Sequence, residues 1–247
     1  MKLTVVGSGD AFGSGGRLQT CFHVDTSERS FLVDCGATAL IGMERAGLDP
    51  ARIDAIFITH LHGDHFSGLV WWMLHAQHVV KRERPLLVVG PRGIEARYRT
   101  AAEALFPGST EKSLRFDLRF EEHSTVRPYE WQDLVCSAIE VSHPSGAPAH
   151  GLRFDLPDGS FSFSGDTEWV DGLIGLADGV DVHINECFAF DTIPNFHTTW
   201  SVLKEKLPGL NAKRILLTHM GRDMLANTDA VDDPRVLISE DGMCLEF

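Results

Sequence analysis

The sequence predicts an α/β fold whose functional groups collect at one edge of packed sheets. Two features of the pattern predict this. Short apolar runs with strand composition alternate with segments whose apolar residues recur at helical spacing. Four separate strands also end in side chains able to hold a metal ion. The densest of these ends is Thr59-His60-Leu61-His62-Gly63-Asp64-His65, with three imidazoles and a carboxylate within six residues.

Taken in order, Lys2 to Val6, Cys21 to Val24 and Phe31 to Asp34 are expected strands. The turn Gly7 to Gly16 between the first two is rich in Gly and Ser. It lacks the Lys-Ser/Thr ending of a P-loop, and Phe12 stands where a dinucleotide fingerprint needs its third glycine. A tight loop packing close to the site is the better account. Ala37 to Ala46 is a short helix, and Ile53 to Ile58 a buried strand leading into the histidine-rich turn. From Phe66 to Val80, Leu69, Trp72, Met73, Ala76 and Val80 follow helical spacing. The turn therefore joins the carboxyl end of a strand to a helix, and its sharpness lets His60, His62, Asp64 and His65 share one small volume.

Leu86 to Val89 is a strand, Gly93 to Leu105 a helix, and Leu114 to Phe120 alternates as a strand does. Leu134 to Ser142 is a strand with His143 at its end. Gly151 to Leu156 and Ser160 to Ser164 flank an Asp-Gly turn and form a hairpin that runs into Asp166. Val182 to Glu186 is a strand, Thr199 to Leu207 a helix with Trp200, Leu203 and Leu207 inward, and Ile215 to Leu217 a strand running into His219.

Composition narrows the function classes. The 247 residues are 43% hydrophobic, enough for a sizeable core. No apolar run approaches a membrane span, and Met1 to Asp10 has the pattern of a first strand rather than a signal peptide. Cys21, Cys35, Cys136, Cys187 and Cys244 are odd in number and widely spaced, as expected of reduced thiols in a cytoplasmic protein. The net charge of −13 argues against a general nucleic-acid binder. Residues 81 to 119 are the exception, with nine Lys or Arg against five Asp or Glu, a local balance of +4. That segment is either a solvated helical face or a basic wall that receives an anionic substrate.

In this order, Thr59 to His65, the isolated His143, Ser164-Gly165-Asp166-Thr167 and Leu217-Thr218-His219 resemble the metallo-β-lactamase superfamily in its binuclear hydrolase form. The resemblance spans about Leu3 to Arg222. It implies a four-layer αβ/βα sandwich of two mixed sheets, as one domain over residues 1–247. It also implies two divalent metal ions, one on His60, His62 and His143, the other on Asp64, His65 and His219, with Asp166 bridging. Ligands of N and O type without thiolate favour zinc, with manganese or iron as alternatives. Two such cations lower the pKa of a bridging water toward neutrality and polarise the oxygen under attack.

Asn185-Glu186-Cys187-Phe188 followed by Asn195-Phe196-His197-Thr198-Thr199 resembles the ribonuclease Z-type phosphodiesterases. There a Glu–His pair delivers a proton to the leaving oxygen. The resemblance makes Glu186 the orienting residue and His197 the general acid, and Asp64 joins them as a catalytic candidate. Only 22 residues separate His143 from Asp166, where a tRNA-processing enzyme would carry a protruding basic arm. The expected substrate is therefore a small anionic phosphodiester rather than tRNA. The alternatives are a carbonyl hydrolase (lactonase, thioesterase or β-lactamase-like) with the same metal site, and a non-catalytic or redox di-iron module. The resemblance also allows a homodimer. His23, His123 and His183 have no nameable partner, His150 is expected to be a satisfied loop residue, and Asp34-Cys35-Gly36 resembles a structural turn of the superfamily.

Overall fold

In the computed structural model, which describes residues 1–192 and 195–247, the chain forms two mixed sheets packed face to face. The first runs β14-β1-β2-β3-β4-β5-β6, with β1 Lys2–Gly7, β2 Cys21–Asp25, β3 Ser30–Val33, β4 Ala55–Phe57, β5 Leu86–Gly90, β6 Leu118–Glu122 and β14 Cys244–Glu246. The second runs β13-β12-β11-β10-β9-β8-β7, with β7 Tyr129–Trp131, β8 Leu134–Glu140, β9 His150–Leu156, β10 Gly159–Phe163, β11 Val182–Glu186, β12 Arg214–Thr218 and β13 Val236–Ile238. In each sheet antiparallel pairing gives way to parallel pairing, at β3 in the first and β10 in the second.

Alternation along the strands builds the layers. Leu3, Val5, Phe22, Phe31, Phe57 and Val89 point inward from the first sheet onto Phe154, Phe161, Phe163, Val182 and Ile184 of the second. Phe154 stacks on Phe161 at 4.7 Å and meets Phe57 edge-on at 5.2 Å. The outer face of the first sheet (Leu32, Ile56, Val88) is covered by three helices. These are α1 Ala39–Arg45, α3 Gly68–Leu74 and α4 Ile94–Leu105, with Met43, Leu69, Trp72 and Ile94 turned inward. The short α2 Gly63–Phe66 precedes α3. The outer face of the second sheet is covered by α5 Gly172–Leu176, α6 Trp200–Lys206 and α7 Arg222–Ala226. Among the described residues, no helix is long and apolar enough to cross a membrane.

Several expected elements differ in detail. The helix expected from Phe66 begins earlier, at Gly63 within the histidine-rich turn, breaks at Ser67, and widens into a π-helical turn over His75–Val80. The strand expected over Leu114 to Phe120 runs instead over Leu118–Glu122, and Leu114 and Phe116 pack from a loop onto the outer core. The elements β7, α5, α7, β13 and β14 have no counterpart in the sequence reading. Four cysteines are buried and free, and Cys244 is exposed and free.

The histidines without an expected partner acquire one. His23 Nε2 lies 2.6 Å from Ser30 Oγ. His183 lies between Ser162 Oγ at 2.8 Å and Asn185 Oδ1 at 2.9 Å. His123 Nε2 donates to Ile58 O at 2.8 Å, and its Nδ1 lies 3.0 Å from Nδ1 of His150. Because a carbonyl only accepts, His123 Nδ1 is the acceptor and His150 Nδ1 the donor. This pair ties the two sheets together directly behind the metal-type turn.

Burial pushes both His123 and His183 down to about 4, because a charged imidazole there would lose its hydration. The unfolded chain therefore takes up protons that the folded chain refuses as pH falls from about 6.5 to about 4, and stability is lost across that window. The expected loss is on the order of 3 kcal/mol per histidine. Ring NMR signals of both should report neutral imidazole at pH 5, with the chemical-denaturation midpoint falling from pH 7 to pH 5. Titration of either ring near its ordinary value would contradict this burial account.

Candidate metal centre

The carboxyl ends of β3, β4, β8, β10, β11 and β12 all open onto one edge of the sandwich. Each delivers a polar side chain to it. β4 runs into His60, His62, Asp64 and His65, β8 into His143, β10 into Asp166, β11 into Glu186, and β12 into His219. The turns are abrupt. Asp34 and His219 follow directly on their strands with left-handed φ angles of 58° and 56°, a conformation that Asp and His tolerate better than most residues. The loop after β3 lies tight against the metal-type turn. A Cβ on Gly36 would stand 2.4 Å from Asp64 O, and one on Gly68 would stand 2.1 Å from Gly36 O.

All seven expected ligand residues come together, as two groups. In one, donor atoms of His60, His62 and His143 lie within 4.8 Å of one another. In the other, those of Asp64, His65, Asp166 and His219 do. Asp166 faces both. Its Oδ1 is 3.3 Å from His65 Nε2, and its Oδ2 is 3.2 Å from His219 Nε2 and 3.9 Å from both His60 Nε2 and His143 Nε2.

Hydrogen bonds away from this volume decide which nitrogen of each ring faces it. Asp34 is fully buried and accepts from Thr59 N, Thr59 Oγ1 and His65 Nδ1, the last at 2.6 Å. With its own proton committed to Asp34, Thr59 Oγ1 accepts from His60 Nδ1 at 3.0 Å. His143 Nδ1 donates to Phe196 O at 2.9 Å. His60, His65 and His143 therefore all present an Nε2 lone pair to the common volume. His62 is the exception and turns Nδ1 inward, 2.9 Å from His143 Nε2.

This arrangement fits a divalent metal. Among the described residues, His60 Nε2, His65 Nε2 and Asp166 Oδ1 are buried and make no well-aligned hydrogen bond, the last two approaching each other only to 3.3 Å, and buried groups of this kind are costly unless something binds them. The electrostatics agree. Burial raises the Asp64 and Asp166 carboxyls, but the imidazoles beside them, His65 for Asp64 and His219 with His65 for Asp166, outweigh it and hold both well below the usual range. Burial likewise lowers His219, yet Asp166 and Asp64 bring it up to about 9. The carboxylates thus draw positive charge into the site, and a divalent cation held there would supply it in place of protons.

Glu186 and His197 lie beside the second group. Glu186 is fully buried. Its Oε1 accepts from Thr167 N at 2.7 Å and from His197 Nδ1 at 2.9 Å. The His197 ring stacks 5.6 Å from that of His219 and 4.9 Å from that of Phe188. A donor atom of His197 is also within 4.8 Å of those of His143 and Asp166. Burial lowers His197, but its bond to the Glu186 carboxylate overcomes this and raises it.

Sequence reasoning passed over three supports of the site. Asp34 was expected only as a turn residue. Phe196 contributes through its backbone carbonyl, which leaves no sequence signal. Asp241 binds Ser8 N, Ser8 Oγ and Leu18 N, and so fixes the Gly-Ser-rich loop, whose Ser8 carbonyl accepts from His219 N at 3.0 Å. The Asp34→Asn variant keeps the volume of the side chain but leaves one acceptor oxygen where Thr59 N and His65 Nδ1–H use two separate ones. It should weaken divalent-metal affinity about 10- to 100-fold in a chelator-competition titration. Unchanged affinity would contradict this account of how the rings are set.

Comparison with known proteins places this geometry. Residues 1–240 match the family described as "Anti-Pycsar protein Apyc1". Ribonuclease Z of Anoxybacillus flavithermus is 26% identical over 278 aligned residues, covering 89% of this chain and 86% of that protein. The metallo-β-lactamase fold protein YhfI from Bacillus subtilis superposes with a TM-score of 0.79 at 19% identity, over 99% of each chain. A diphosphatase from the PhnP family superposes with a TM-score of 0.80 at 20% identity, over 100% of this chain and 97% of that one. The two seven-stranded mixed sheets with helices outside are thus the metallo-β-lactamase sandwich expected from the motifs. The chain belongs to the Anti-Pycsar protein Apyc1 family and is a metal-dependent hydrolase of ribonuclease Z-like type with the metallo-β-lactamase fold.

Proposed function

We propose that the protein is a phosphodiesterase that hydrolyses a small anionic phosphodiester at two divalent metal ions. In this reading His60, His62 and His143 hold one ion, Asp64, His65 and His219 hold the other, and Asp166 lies between them. Zinc suits the N and O donor set best, with manganese and iron as alternatives. Bound there, the ions supply Lewis-acid activation of water and neutralise charge on the phosphoryl oxygens.

The observation that carries the reading is the Glu186–His197 pair at 2.9 Å. Hydrolysis of a phosphodiester expels an alkoxide, which needs a proton as it leaves. Glu186 is aligned to accept the Nδ1 proton of His197, which leaves the other ring nitrogen to carry a proton toward the reaction volume. The raised basicity of His197 keeps that proton available near neutral pH. Phe196 O orients His143, so one short segment sets both the proton donor and a ligand of the first group.

Two features favour a small substrate. The segment between His143 and Asp166 is a short loop followed by the β9–β10 hairpin, without a protruding arm. The net charge of −13 opposes a long polyanion. The ribonuclease Z and diphosphatase relatives are consistent with chemistry at phosphorus.

Protein loaded with zinc or manganese should turn over bis(p-nitrophenyl) phosphate. His197→Ala should lower kcat by roughly 100- to 10,000-fold, the usual contribution of a positioned general acid. Metal content should not change. No turnover by the loaded protein, or full activity in the variant, would refute the reading.

A further inference from the structure

The basic segment noted in the sequence brings one cation against the backbone of the loops that carry the candidate ligands. Arg97 lies on α4, which follows β5, the strand beside β4. Its Nη1 is 3.5 Å from Leu61 O, the carbonyl between His60 and His62. Its Nη2 stands 2.9 Å from where a Cβ on Gly146 would be, and Gly146 follows His143 by three residues in a left-handed conformation (φ 77°). The guanidinium is thus lodged between the two loops that carry His60, His62 and His143, in a space that exists because residue 146 has no side chain.

The charge of Arg97 is unanswered. Arg99, on the same helix, pairs with Glu95 at 2.8 Å. Arg97 has no carboxylate at ion-pair distance among the described residues, although the chain contains 35 acidic residues. The contact with Leu61 O is at the long limit for a hydrogen bond, so it braces the turn only weakly. It engages one of five N–H donors. A half-buried guanidinium with spare donors, set between the loops that carry His60, His62 and His143 and without a counter-ion among the described residues, matches a phosphate or carboxylate oxygen from outside.

We infer that Arg97 is a substrate-binding residue that takes a negatively charged oxygen of the substrate where the Leu61 and Gly146 backbones meet. The inference rests on the phosphodiester reading above and adds a specificity residue to it. Arg97 would favour an anionic substrate over a neutral carbonyl compound of the same size, and Gly146 would keep its place open.

The test uses the metal-loaded full chain as wild type, Arg97→Ala and Arg97→Lys. Inorganic phosphate is titrated calorimetrically into each, and KM and kcat are measured with bis(p-nitrophenyl) phosphate. Arg97→Ala should weaken phosphate binding and raise KM about 10- to 100-fold. Its kcat should stay within about threefold of wild type, its metal content should be unchanged, and Arg97→Lys should recover part of the loss. Unchanged phosphate affinity in Arg97→Ala would overturn the inference. So would loss of metal together with phosphate, which would make Arg97 a brace for the ligand loops. If wild type binds phosphate but does not cleave the diester, the phosphodiesterase reading fails and the phosphate titration still decides the role of Arg97.

Discussion

The candidate metal centre depends first on the buried carboxylate of Asp34. It contributes no atom to the common volume. It accepts from Thr59 N, Thr59 Oγ1 and His65 Nδ1, and through Thr59 it also sets the tautomer of His60. One group at the end of β3 therefore orients imidazoles belonging to both ligand groups. Burial pushes the Asp34 carboxyl up, against the pull of His65 and Thr59. Such a carboxylate persists only where its partners answer it, so the loop is held as firmly by Thr59 and His65 as it holds them.

The sandwich supplies the remaining convergence. Because pairing turns parallel within each sheet, strands from both halves of the chain finish at the same edge. Residues far apart in sequence then meet within a few ångströms, as His62 and His143 do at 2.9 Å. The chain's last residues complete this support. β14 pairs with β1, and Asp241 fixes the loop whose Ser8 carbonyl holds the backbone of His219. The His123–His150 pair joins the sheets behind β4. In this way the candidate ligand rings stand on backbone that is tied down from both sides.

Much of the candidate site was legible in the sequence because its chemistry is local. Thr59 to His65 packs four potential ligands into one turn, and the strands leading to His143, Asp166 and His219 are long enough to show a pattern. Elements too short for periodicity left no such trace. β7, β13 and β14 have three residues each, and α5 carries two glycines in five residues. Leu114 and Phe116 imitate strand alternation while packing from a loop. Supports that act through backbone, such as Phe196 O on His143, have no residue-type signal at all. Asp34 could have been suspected from its position at a strand end, but only the folded geometry distinguishes a carboxylate that closes a turn from one that also orients two ligands.

The proposed site holds two metal ions at this edge, one in each group, with Asp166 facing both groups. Anomalous diffraction from crystals grown with zinc tests it most directly. The account predicts two peaks, one among His60, His62 and His143, the other among Asp64, His65 and His219, with Asp166 reaching both. A single peak, or zinc bound only elsewhere on the protein, would contradict it.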